Sequence, residues 1–217
     1  MMKCIRKIVF IALGVSLPAW ANASMSCRAP DDSFRQSVVK IHGDTGNVAS
    51  GVVVAKGYLL TAAHVVVDAH KIEIEVPGRR VKAYVTMFDE VSDLALLSAD
   101  TSGLKPLPLG FDVPEHDSPV WAVGYPLGGH QVATFGFFEG MFDGGLRTTA
   151  DVQSGQSGGA LVNCRNGRLE VVGVIRGYGA YQTASGVEKI EGFSISVTPE
   201  DISALLARFR ARLHASR

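Results

Sequence analysis

Short apolar runs broken by glycine, proline and aspartate dominate the chain from residue 37 to residue 197. Residues 71–76 (KIEIEV) and 79–87 alternate charged and apolar positions, which predicts two half-buried strands joined by the turn Pro77-Gly78. Residues 37–42 and 51–55 are denser in valine and isoleucine and predict further strands. Residues 58–60 continue the series after Lys56-Gly57. Residues 94–97 and 120–123 read as short buried strands, the second ended by Gly124-Tyr125-Pro126. Residues 132–138, 147–152, 161–162, 169–175 and 193–197 complete the set. Many short strands with glycine-rich turns predict an all-β sandwich or barrel. The end of the chain differs. Thr198 is placed to cap a helix, with Pro199 at its first position and Glu200 and Asp201 in its first turn. Ile202, Leu205, Leu206 and Phe209 then recur at helical spacing, which predicts a C-terminal helix packed on the β body.

The first residues follow another pattern. Lys3, Arg6 and Lys7 precede an apolar run over residues 8–17, and Ala21-Asn22-Ala23 supplies a small-x-small cleavage site. This predicts a signal peptide over residues 1–23, cut after Ala23 or Ala21, and hence a periplasmic or secreted protein. The run is too short to span a bilayer comfortably, so no stable membrane span is expected after cleavage. The 217 residues carry no formal net charge, and no electrostatic footprint for nucleic acid is present. Of three cysteines, Cys4 leaves with the signal peptide. Cys27 and Cys164 either form one disulfide, pinning the mature N-terminus near residue 164, or stay unpaired. Neither has metal-ligand spacing, and His42, His70, His116, His130 and His214 are scattered, so no metal is expected.

Candidate chemistry centres on Gly155-Gln156-Ser157-Gly158-Gly159, followed by the apolar Ala160-Leu161-Val162. A serine among glycines before a strand fits a nucleophile on a tight turn, with the Gly155 and Ser157 N–H groups as an oxyanion hole. Taken alone it fits a glycine-rich hairpin equally well. A nucleophile needs a base, and His64 follows the apolar and small residues Leu59-Leu60-Thr61-Ala62-Ala63. The histidine needs an acid, and Asp93 opens the apolar run Leu94-Ala95-Leu96-Leu97. Asp68, Asp89, Asp100 and Asp117 lie in more polar, turn-like settings. The resulting order is His64, Asp93, Ser157.

The segments Leu60-Thr61-Ala62-Ala63-His64-Val65-Val66, Ser92-Asp93-Leu94-Ala95-Leu96-Leu97 and Gly155-Gln156-Ser157-Gly158-Gly159-Ala160-Leu161-Val162 resemble the three catalytic blocks of chymotrypsin-fold serine proteases. The likeness is nearest to the bacterial HtrA/Deg-type, trypsin-like branch, and Val123-Gly124-Tyr125-Pro126-Leu127-Gly128 adds to it. The resemblance implies two antiparallel six-stranded β-barrels over residues 24–217, split near 110–120, with the active site between them. It implies a serine endopeptidase acting on protein or peptide substrates through an acyl-enzyme, with no metal or organic cofactor. Asp151, six residues before Ser157, stands where trypsin-like enzymes hold the acid that reads a basic P1 residue (the one whose carbonyl is attacked). It either does this or pairs with Arg176, while the HtrA-type branch, whose members lacking this acid usually accept small aliphatic residues, implies a small aliphatic P1 residue instead. Ile175, Arg176 and Gly177 are expected to flank the same pocket, and Gly177 and Gly179 to leave that wall open to an extended peptide. HtrA-type proteases usually carry a PDZ domain, for which the residues after the helix leave no room. Two other readings stand beside the protease: a peptide-binding, chaperone-like protein with an idle triad, and an esterase-like hydrolase.

Overall fold

The computed structural model describes residues 27–44 and 46–215. The signal peptide expected over residues 1–23 lies outside the described residues. Alternation of buried and half-exposed positions is carried through in strand β4 (Ile72–Val76), where Ile72, Ile74 and Val76 point into the core. It pairs with β5 (Arg79–Asp89) and with β1 (Val38–Gly43). Strands β2 (Val48–Ala55), β3 (Tyr58–Thr61) and β6 (Leu94–Ala99) close an antiparallel barrel in the order β1-β2-β3-β6-β5-β4. Closure leaves no free sheet edge around its interior of Val39, Ile41, Val53, Leu59, Ile74 and Leu97.

Residues 100–118 carry the chain to a second closed antiparallel barrel. It comprises β7 (Pro119–Gly124), β8 (Val132–Phe142), β9 (Gly145–Thr148), β10 (Ala160–Arg165), β11 (Arg168–Thr183) and β12 (Gly186–Val197), in the order β10-β11-β12-β9-β8-β7. Val38 and Val52 of the first barrel pack outward against Trp121, Val123, Ala160 and Val162 of the second. This explains why β1 and β2 read as dense apolar runs: both of their faces are covered.

A single-turn helix, α1 (Asp32–Arg35), is capped by Asp31, whose carboxylate accepts the Phe34 N–H at 2.9 Å. The C-terminal helix α2 (Pro199–Ala215) buries Ile202, Leu205 and Phe209. They meet Leu60, Leu94 and Leu96 of the first barrel and Val174 and Val197 of the second. The helix thus lies across the seam and holds both barrels. An ion pair between Arg208 and Asp89 ties its outer face to the end of β5.

Candidate active site

Strand β3 ends at Thr61, whose hydroxyl donates to the Ser50 carbonyl at 2.8 Å. Ala62 and Ala63 are buried and small, so the backbone turns tightly into a 3-10 turn (Ala63–Val65) that presents His64 to solvent. Asp93 occupies the turn before β6 with φ 54°, in the left-handed region that aspartate tolerates better than most side chains. Its carbonyl accepts the Ala63 N–H at 3.2 Å, which draws the two turns together. Its carboxylate then holds His64 at two points. Oδ1 accepts the His64 backbone N–H at 2.9 Å and Oδ2 faces Nδ1 at 2.8 Å. An ionised carboxylate can only accept, so Nδ1 carries the proton and Nε2 is left free to take one. Burial pushes the Asp93 carboxyl up. The hydrogen bonds from the His64 side chain and backbone, with the nearby Arg176 guanidinium, outweigh it and hold Asp93 below the ordinary carboxylate range. The side chain of Asp93 is 17 % exposed and that of His64 51 %, an arrangement that shields the carboxylate and leaves the imidazole reachable.

Ser157 sits in the turn before β10. Gly158 there has φ +82°, and a Cβ would fall 2.1 Å from Thr61 Oγ1 and 2.2 Å from the Ser50 carbonyl oxygen. Glycine is therefore required where the Ser157 turn presses against the first barrel. The Ser157 carbonyl accepts the Ser50 N–H at 2.9 Å, and the Gly158 N–H donates to the Ile175 carbonyl at 2.7 Å. Ser50 does more. Its hydroxyl donates to the Gly155 carbonyl at 2.9 Å and accepts the Tyr125 N–H at 3.0 Å. This buried serine, not identified from sequence, fixes the Ser157 turn from the opposite barrel. A polar residue inside the apolar run Val48–Ala55 was the available signal.

Among the described residues, no backbone carbonyl accepts from the Gly155 or Ser157 N–H. The Ser154 carbonyl takes the Leu127 N–H at 2.6 Å, so in a trans peptide the Gly155 N–H points away from Leu127. The Ser157 hydroxyl donates to the Arg176 carbonyl at 3.2 Å. His64, Ser157, Gly155, Ser154, Arg176 and Tyr178 all line one cleft of about 450 Å3.

The expected specificity residues divide. Arg176 and Gly177 line the cleft, and a Cβ on Gly177 would meet open space. Ile175 does not line it. It is buried against Ala122, Ala150 and Val152. Gly179 is not open either, since a Cβ there would sit 2.7 Å from the Phe193 ring. The expected Asp151–Arg176 pair is absent among the described residues. Arg176 turns instead toward Asp93, with Nε 3.9 Å from Oδ2, and Nη1 donates to the Asp143 carbonyl at 3.4 Å. The carboxylate of Asp151 is bound by Lys189 of β12. Cys27 and Cys164 are joined in a disulfide with Cα atoms 5.6 Å apart, so the bridge, rather than two free thiols, is formed.

Residues 49–174 match the family profile of the trypsin-like peptidase domain. Among curated proteins, a probable periplasmic serine protease do/HhoA-like from Haemophilus influenzae is 35% identical over 142 residues, 56% of this chain and 29% of its own length. The serine endoprotease DegS of Escherichia coli is 35% identical over 129 residues, 54% of this chain and 36% of its own. The periplasmic pH-dependent serine endoprotease DegQ of Escherichia coli is 36% identical over 136 residues, 56% of this chain and 30% of its own. The chain thus matches about a third of these relatives' length. Among solved structures, a serine endoprotease from Yersinia pestis superposes with a TM-score of 0.68 at 26% identity, over 84% of this chain and 68% of that one.

Proposed function

The chain belongs to the trypsin-like peptidase domain family, and from that premise we propose that it is an exported serine endopeptidase using His64, Asp93 and Ser157. The observation that carries this is the two-point clamp of Asp93 on His64 beside the glycine-bound Ser157 in one cleft. In the proposed reaction His64 Nε2 takes the Ser157 hydroxyl proton as Oγ attacks the scissile carbonyl. Asp93 holds the tautomer and stabilises the imidazolium. The Gly155 and Ser157 N–H groups bind the oxyanion, whose charge appears only as the tetrahedral intermediate forms. The protonated His64 passes its proton to the leaving amine, and water then releases the acyl group by the same steps. Export rests on the basic and apolar N-terminal pattern and on the periplasmic relatives.

Substrate is proposed to bind as an extended peptide along β11. Ala160 of β10 pairs with Val174, so beyond that point β11 leaves its β10 neighbour and presents a strand edge at Arg176–Tyr178. The Ser157 hydroxyl bonds to the Arg176 carbonyl before substrate arrives, and its transfer to His64 accompanies binding. The same hydroxyl bond favours one second reading, a peptide-binding protein with an idle triad. A peptidyl phosphonate that labels active serines separates the two. Labelling of the wild-type protein and its loss in Ser157→Ala support the peptidase. Folded wild-type protein that takes no label supports the binding module.

A further inference from the structure

Charged side chains around the cleft are matched within the protein. The Arg176 guanidinium lies near Asp93 and bonds to the Asp143 carbonyl. Asp151 precedes the cleft-lining segment Gln153-Ser154-Gly155; it does not itself line the cleft, but its side chain is 38 % exposed. Its carboxylate is held by Lys189, which reaches back from the hairpin formed by β11 and β12. The Lys189 ammonium also lies 5.6 Å from the centre of the Tyr178 ring and 3.8 Å from the exposed Glu191 carboxylate. Tyr178 in turn stands 3.4 Å, hydroxyl to hydroxyl, from Ser154, and both line the cleft. The Ser154–Tyr178 wall therefore has a lysine–aspartate pair beside it. The lysine is mostly covered, with 20 % of its side chain exposed.

The backbone explains how Lys189 gets there. Tyr178 pairs with Ser194, while Ala180, two residues on, pairs with Lys189. Strand β12 thus spends five residues where β11 spends two. Residues 190–193 bulge, with Gly192 at φ +63°, and Lys189 is carried to the side where Asp151 lies.

We propose that Lys189 sets the side-chain preference of the cleft: by occupying Asp151 it denies that carboxylate to a lysine or arginine of the substrate, so an uncharged residue is accepted beside the scissile bond. This rests on the peptidase reading of the cleft. Substrate and Lys189 compete for one carboxylate. A cationic substrate side chain must displace an ammonium already tethered at the carboxylate, and the displaced Lys189 would lose its partner in a partly covered site. A small uncharged side chain disturbs neither group. Removing the lysine charge leaves Asp151 unpaired and able to take a cation. Removing the aspartate charge leaves Lys189 unpaired and able to take an anion.

The test is binding, so it does not depend on turnover. Benzamidine, an aryl amidinium, is titrated by calorimetry into the mature protein carrying Ser157→Ala, with and without Lys189→Met. Methionine keeps an apolar stem against Tyr178 and removes the charge. Lys189→Met is expected to tighten benzamidine binding at least about tenfold, the scale on which hydrogen-bonded charge pairs discriminate, and adding Asp151→Asn is expected to abolish the gain. Lys189→Ala serves as a second variant, and circular dichroism verifies that each is folded. With Ser157 restored, the ratio of kcat/KM for P1 Lys over P1 Ala peptides is expected to rise by a similar factor in Lys189→Met. Equal benzamidine binding with and without Lys189, or a gain that survives Asp151→Asn, overturns the proposal. Failure of the peptidase reading shows separately, as absent phosphonate labelling in the Ser157-containing protein.

Discussion

Asp93 shows how much one residue carries. Its carboxylate makes both hydrogen bonds that fix His64, and its backbone occupies a left-handed turn at φ 54°. Asparagine tolerates that conformation, so Asp93→Asn tests the charge without imposing a backbone strain. An amide presents a donor where Nδ1–H needs an acceptor, and kcat is expected to fall by about 10⁴-fold, as in serine triads generally. Measured stability carries a second signature. The folded Asp93 carboxyl lies below its ordinary value, so it binds fewer protons folded than unfolded as it titrates. Its contribution is present above the unfolded carboxyl pKa of about 4 and is lost as pH falls through the folded value. Urea midpoints from neutral pH downward should therefore show wild type above Asp93→Asn, converging below about pH 4. A gap that stays constant to low pH would mean the carboxylate contributes nothing through its charge. At this scale the sequence was informative wherever chemistry interrupts an apolar run, as at His64, Asp93 and Ser157. It was silent on partners that arrive from distant strands. Ser50 reaches Gly155 across the barrel seam, and Lys189 reaches Asp151 from a polar hairpin. A lone serine in an apolar strand marks Ser50 but does not name its partner, and Lys189 has no such mark.

Strands with one buried face were legible from periodicity, and α2 from its cap and its stripe. Thr198 accepts the Asp201 N–H at 3.1 Å and donates to the Asp201 carboxylate at 2.7 Å, which satisfies an otherwise free first-turn donor. Thr198→Ala is expected to lower stability by about 1 kcal/mol. Leu205→Ala, at a fully buried position between the barrels, is expected to cost about 3 kcal/mol. Equilibrium urea unfolding of both variants measures the two effects; a Leu205→Ala cost no larger than the cap's would mean the helix does not bind the seam. The elements that sequence reading shortened most were β11 and β12. Apolar patterning stops at Ile175 and resumes at Phe193, but the strands continue as a hairpin through Thr183 and Gly186. That stretch is largely exposed, so hydrophobic periodicity has no buried face to report. The turn Thr183-Ala184-Ser185-Gly186, flanked by Tyr181 and Val187, was the usable signal. α1 was missed because a single turn shows no period at all.

For the whole molecule, the candidate site is an interface property: His64 and Asp93 belong to one barrel and Ser157 to the other. The Val38–Val52 face, the helix α2 and the Ser50 hydrogen bonds are among the devices that hold the halves in register. The Cys27–Cys164 disulfide works differently. It joins residues 137 apart in sequence, fastening the first described residue to β10, the strand that follows the Ser157 turn. A link across so long a loop restricts the unfolded chain far more than it rearranges the folded one, and typical stabilisation is about 2–4 kcal/mol. Reduction, or paired Cys27→Ala and Cys164→Ala substitution, is therefore expected to lower the urea midpoint by a corresponding amount. Phosphonate labelling of Ser157 below that midpoint is expected to be retained. The Ser157 turn keeps its bonds to Ser50 and Ile175, and His64 keeps Asp93, without help from the bridge. Comparing labelling rates of oxidised and reduced protein at equal folded fraction decides the matter. A rate that collapses on reduction while the barrels stay folded would make the disulfide a positioning element of the site, acting through β10 on the turn that carries Ser157.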